Sequence, residues 1–164
     1  MDYVTAVGGS VSDLGTSVVV DATGNIYFAG YVSNNADLDT GPGTQIVASA
    51  GGRVAFVVKL DPNGDFLWGR AMGDGTNAES NGLALDGMGG VYVTGEFGGT
   101  VDFDPGPGVF NITTPTQRCP FLCKLDTDGN FQWAGALLGT SNSIGFGVAT
   151  DGTGNVYISG QYVG

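Results

Sequence analysis

The residues best suited to chemistry are carboxylates in pairs. Asp37-Leu38-Asp39-Thr40-Gly41-Pro42-Gly43 comes back as Asp102-Phe103-Asp104-Pro105-Gly106-Pro107-Gly108. Carboxylates at i and i+2 of an extended segment lie on one side of the chain. The Gly-Pro-Gly that follows turns the backbone, so carbonyl oxygens could join them around a hard cation such as Ca2+, which takes six to eight oxygens. The competing expectation is a turn whose Asp37, Asp39, Asp102 and Asp104 side chains accept from nearby main-chain N–H groups. A second acidic set, Asp61-Pro62-Asn63-Gly64-Asp65 and Asp126-Thr127-Asp128-Gly129-Asn130, resembles the start of an EF-hand loop. It departs from that pattern in its glycine position and lacks the closing glutamate, so an Asx-type hairpin turn is expected.

Other catalytic schemes are poorly supplied. The chain contains no His, which removes Ser-His-Asp, Cys-His and imidazole-metal sites within it. Two glutamates break an otherwise repeated pattern, Glu79 (Ile144 in the next unit) and Glu96 (Tyr31 in the preceding one), and are expected in different loops without a partner. Cys119 and Cys123 lie on one strand, too far apart for a disulfide with each other, and are expected as buried free thiols. Arg53, Arg118, Lys59 and Lys124 recur at equivalent places, which points to paired charges within or between units. Trp68 and Trp133, with Tyr3 in the corresponding position, are expected to pack between units rather than to form sugar platforms. Asn111-Ile112-Thr113 has the pattern of a glycosylation acceptor. The expectation is a non-enzymatic chain.

What must position these residues is a repeat. Asp21-Ala-Thr-Gly-Asn-Ile-Tyr-Phe-Ala-Gly30 returns as Asp86-Gly-Met-Gly-Gly-Val-Tyr-Val-Thr-Gly95 and as Asp151-Gly-Thr-Gly-Asn-Val-Tyr-Ile-Ser-Gly160, an offset of 65 residues each time. A fixed period marks an array of one supersecondary unit. Within it, an apolar strand (Ser17–Val20, Gly82–Leu85, Gly147–Thr150) is expected to be buried on both faces. It meets a Gly turn and then a second strand (Ile26–Tyr31). A long loop follows, then a third strand (Ala55–Leu60, Pro120–Leu125), the Asp-x-x-Gly turn and a fourth strand ending the unit (67–73, 132–138, and 2–8 by alignment). The order D, ABCD, ABCD, AB gives eleven expected strands. Four antiparallel strands per period is the layout of a β-propeller blade. The expected boundaries are 2–16 for a last strand and linker, 17–81 and 82–146 for two full units, and 147–164 for two strands of a third.

The run Val-x-x-Asp-x-x-Gly-Asn-x-Tyr-x-x-Gly, then Phe-x-x-Lys-Leu-Asp-x-x-Gly and Trp, resembles the SBBP repeat. That is a β-propeller repeat of large bacterial secreted and surface proteins. The resemblance covers essentially the whole chain and implies propeller blades in an extracellular or cell-surface setting. It implies no catalytic residues.

Composition agrees with short strands and tight turns: 31 of 164 residues are Gly, 41% are apolar and 13% charged. Net charge is −11 with five basic residues, so a cationic nucleic-acid surface cannot be built. No apolar run reaches the length of a membrane-spanning helix, and membrane insertion is not expected. A closed propeller needs about four to eight blades. Partners are therefore expected to be further blades of a longer chain or neighbouring copies of this one, with an extracellular protein or glycan as ligand. The function expected first is a scaffold or adhesion segment. The alternatives are a calcium-dependent carbohydrate-binding module using the Asp37/Asp39 and Asp102/Asp104 loops, and a polysaccharide-degrading enzyme.

Overall fold

The computed structural model describes residues 6–49, 51–73, 77–151 and 153–163, and every element in them is a β-strand. In chain order they are β1 (Leu14–Val20), β2 (Ile26–Ser33), β3 (Ala36–Asp37), β4 (Ile46–Val47), β5 (Arg53–Leu60), β6 (Phe66–Met72) and β7 (Ala78–Leu85). Then come β8 (Val91–Phe97), β9 (Thr100–Asp102), β10 (Asn111–Thr113), β11 (Cys119–Leu125), β12 (Phe131–Ala136), β13 (Ile144–Thr150) and β14 (Val156–Gln161). Two antiparallel four-stranded sheets, β1-β2-β5-β6 and β7-β8-β11-β12, are followed by the β13-β14 hairpin. The 65-residue offset maps strand onto strand, as with β1, β7 and β13.

Local chemistry accounts for the two hairpin turns of each unit. In the first, Asp21 accepts from the main-chain N–H of Thr23 and Asn25 through one carboxylate oxygen, both at 2.9 Å. Asp86 and Asp151 repeat the arrangement. Asp61 and Asp126 do the same in the second turn. These aspartates lock the turn by satisfying amides that the hairpin leaves unpaired. The turn glycines Gly24, Gly64, Gly89, Gly129 and Gly154 all take positive φ, between 78° and 99°.

A bulge in the first strand of each unit fixes a second glycine. The register slips between Gly15 and Ser17, Ser80 and Gly82, and Gly145 and Gly147. Opposite each slip a carbonyl, that of Leu14, Glu79 or Ile144, presses against Gly30, Gly95 or Gly160. A Cβ there would overlap the oxygen, so these positions need glycine for close backbone approach.

The two sheets enclose one apolar core. Tyr27, Ala29, Val57 and Trp68 from the first meet Leu83, Val91, Val93, Phe97, Phe121 and Cys123 from the second. Phe97, Phe103 and Phe121 stack at centroid distances of 4.9 to 6.4 Å. Strand β7 packs on β1, β2 and β5, while β13 packs on β7, β8 and β11. Hydrogen bonds stitch the units: Thr16 Oγ1 donates to the Ser80 carbonyl (2.8 Å) and Ser80 Oγ to that of Gly30 (2.6 Å). A second cluster (Val32, Leu38, Val54, Phe56, Val58 and Leu60) covers the opposite face of the first sheet.

Four expectations need correction. The segments after β2 and β8, read from the sequence as long loops, each fold into a small hairpin, β3-β4 or β9-β10. These pairs are too short to leave a periodic signal in the sequence. The first strand of a unit is buried on both faces only in β7. In β1, Val18 and Val20 are 65% and 61% exposed, because the described residues supply no sheet against that face. The expected strand over 2–8 lies outside the described residues at 2–5, is irregular at 6–7, and survives as one bridge between Gly8 and Asp37. Glu79 and Glu96 are on strands, not in different loops, as set out next.

Candidate functional site

The Asp-x-Asp loops use their carboxylates on their own backbone. Asp37 Oδ1 accepts from the N–H of Asp39 (3.0 Å) and Gln45 (2.8 Å), and Asp102 Oδ1 from Asp104 (3.0 Å) and Phe110 (2.7 Å). Asp39 and Asp104 accept from Gly41 and Gly106. The closing glycines Gly43 and Gly108 lie against the free oxygens of Asp39 and Asp104, where a Cβ would collide. Each loop is thus a self-capped turn that bends the β3-β4 or β9-β10 hairpin. Among the described residues no group of three or more Asp, Glu or Cys is placed to hold a metal ion.

The two glutamates that break the repeat are brought together. Glu79 on β7 and Glu96 on β8 are direct cross-strand partners. Each carries an arginine from the start of a third strand. Arg53 of the first sheet reaches across to Glu79 (2.5 Å), and Arg118 of the second sheet bonds Glu96 Oε1. Arg53 also lies over the Tyr31 ring, 4.4 Å from its centroid. The sequence hid this pairing because the bulge at Ser80/Gly82 breaks the alternation of β7, and its apolar run begins only at Leu83. The recurrence of Arg53 and Arg118 was the available signal.

These four side chains line a cavity of about 800 Å3 together with Thr116 and Gln117 of the loop before β11. Its volume lies within the usual range of small-ligand sites. The Glu96 side chain is 5% exposed, and its Oε2 has no hydrogen-bond partner among the described residues. Burial pushes the Glu96 carboxyl above its ordinary range, Arg118 opposes that, and the neighbouring Glu79 reinforces it.

A separate contact joins the units. Lys59, Trp68 and Arg70 of the first sheet grip the β11-β12 turn of the second. Lys59 Nζ and Trp68 Nε1 donate to the Thr127 carbonyl at 3.0 and 3.1 Å. Arg70 donates to the carbonyls of Gly129 and Asp128, both at 2.9 Å. One period later, Lys124 turns to Asp86 (3.3 Å) and lies over Tyr92, while Trp133 is 40% exposed. The expected pairing of recurrent charges is therefore realised between sheets at Arg53 and within one sheet at Arg118 and Lys124, whereas Lys59 bonds the carbonyl and hydroxyl of Thr127. Cys119 and Cys123 are buried free thiols, and burial raises the Cys123 thiol well above its usual range.

No family model matches the chain. It is similar to an uncharacterized WD repeat-containing protein, L264, of Acanthamoeba polyphaga mimivirus, at 25% identity over 190 residues. The match covers 99% of this chain and spans 13% of the viral protein.

Proposed function

We propose that this chain is an array of β-propeller blades serving as a non-enzymatic scaffold and interaction segment. The carrying observation is the contact between units, in which Lys59, Trp68 and Arg70 hold the turn of the next sheet. Successive sheets so joined, with β1, β7 and β13 as successive neighbours, are what blades around a common axis require. The similarity to a WD repeat-containing protein supports the same reading. WD-type units span about 40–45 residues, and the 65-residue period exceeds them chiefly through residues 34–52, the insertion between β2 and β5. The similarity does not extend to the Trp-Asp dipeptide, which is absent from this chain.

The extracellular or cell-surface setting is part of this proposal and rests on the acidic, Lys-poor composition and the SBBP-like repeat. Cryo-electron microscopy of the longest natural protein containing this chain tests the architecture. A closed ring of four-stranded blades is expected, and a straight stack of sheets would refute it.

One observation favours a polysaccharide hydrolase as a second reading: two facing carboxylates in a cleft. Glu79 and Glu96, however, are each held in an ion pair with an arginine, which leaves no free carboxylate to act as nucleophile or base opposite a protonated Glu96. Release of reducing ends from soluble polysaccharides is expected to be absent.

A further inference from the structure

We propose that the Glu79–Glu96 cavity binds a neutral polyhydroxylated ligand, a stretch of carbohydrate chain, without metal and without cleavage. The pair is built once in the described units. The positions equivalent to Glu79 carry Leu14 and Ile144, and those equivalent to Glu96 carry Tyr31 and Gln161. The repeat thus folds its other units without this pair of charges, and its presence here is local. A buried carboxylate oxygen normally has a donor. Glu96 lines the cavity, and its Oε2 is buried there without one, although its twin Oε1 is taken by Arg118.

The surrounding charges select the kind of donor. Two carboxylates and two guanidiniums sum to zero, so a simple cation meets Arg53 and Arg118, and an anion meets Glu79 and Glu96. A hydroxyl group both donates and accepts. It can accept from a guanidinium, whose five N–H groups exceed what one carboxylate uses, and can give its proton to Glu96 Oε2 once a shift of the lining uncovers that buried oxygen. Arg53 and Arg118 keep 43% and 46% of their side chains exposed and so present donors to the opening. Gln117 and Thr116 add amide and hydroxyl groups at the rim. Adjacent sugar hydroxyls fit such alternating donors and acceptors better than any single ion. The lining comes wholly from the first two units, Arg53 from the first and the rest around the second sheet, so the site does not depend on whether the complete array closes into a ring.

Titration of the whole chain with cellotetraose, maltotetraose and chitotetraose, followed by amide chemical shifts in NMR, tests the proposal. Spermidine and inorganic phosphate serve as charged probes. At least one tetrasaccharide should shift the amides of Gly98, Gly99, Thr116 and Gln117, all in the cavity lining, in a saturable way at millimolar concentration, while the charged probes leave them in place. Glu96→Gln, which keeps the shape and removes the carboxylate, should weaken that binding about tenfold. Should that variant fail to fold, Glu79→Ile, the residue found one period later, serves in its place with the same expected weakening. Absence of saturable shifts with all three sugars overturns the proposal. So does preferential binding of spermidine or phosphate, unchanged affinity in a folded variant, or dependence of sugar binding on added calcium.

Discussion

Trp68 donates its indole N–H to the main-chain carbonyl of Thr127 at 3.1 Å, joining residues 59 positions apart in neighbouring sheets. The ring is 8% exposed and meets Tyr27 edge-on at 6.1 Å, so it fills the boundary between units as well as bonding across it.

Replacing that ring should therefore loosen the union of the two sheets. Trp68→Phe is expected to cost about 1–2 kcal/mol through the lost hydrogen bond. Trp68→Ala should cost about 3–5 kcal/mol by leaving a cavity. Trp133→Ala, in the half-exposed equivalent place, should cost well under half of that. Urea unfolding of the three variants reads the order, and equal losses at 68 and 133 would refute the assignment.

Gly95 faces the carbonyl of Glu79 with no room for a methyl group. Gly95→Ala should destabilise by about 1–3 kcal/mol, since the backbone must shift. Gly15→Ala is the control: a Cβ there meets nothing within 4 Å, and φ is not in the positive range. It should be neutral or stabilising by about 0.5 kcal/mol. Thermal unfolding distinguishes them.

The Asp-x-Asp loops are expected to behave as turns. Asp37→Ala removes the acceptor for two amides and should cost about 1–2 kcal/mol, whereas Asp39→Ala frees only the exposed Gly41 amide and should cost less. Melting temperature should be the same in EDTA and in added calcium. A calcium-dependent rise lost in Asp37→Ala would favour the metal reading over the turn.

Acid should unfold the protein through its turns. Hydrogen bonds from the Asn155 and Thr153 side chains hold Asp151 well below the ordinary value of 3.8. At Asp21 burial pushes the other way, but bonds from Thr23 and Asn25 outweigh it. A carboxyl lowered in the folded state stabilises above its unfolded value and loses that contribution as pH falls toward its folded value. Stability should thus decline below about pH 4. Glu96 has the opposite sign. Raised from 4.5 by burial, it favours the folded state when protonated, and that contribution disappears as pH rises through its folded value. Glu96→Gln should remove that second limb of the stability–pH curve and leave the first intact.

The strands were readable because the period carries them: Asp21, Asp86 and Asp151 mark each first turn, and Trp68 and Trp133 each fourth strand. Trp68 sits between units as its recurrence implied, and the free thiols are buried as their apolar counterparts Val54 and Val58 implied. The small hairpins escaped notice because two- or three-residue strands such as Ala36–Asp37 hold no alternation to detect. Glu79 and Glu96 escaped for another reason. Their meeting is a matter of cross-strand register, and a bulge at Ser80/Gly82 shifts register by one residue without any mark in the composition.

The grip on the β11-β12 turn is made almost wholly to carbonyl oxygens, those of Thr127, Asp128 and Gly129, with Thr127 Oγ1 the one side-chain atom engaged. The side chain at 128 is therefore free to vary so long as the turn keeps its shape, and a change at 127 gives up only the bond from Lys59 to its hydroxyl. A unit held this way recognises the outline of its neighbour and not its lettering. Copies of the unit can drift apart in sequence, be duplicated or be exchanged and still dock, which leaves the intervening loops open to acquire separate specificities on a common frame.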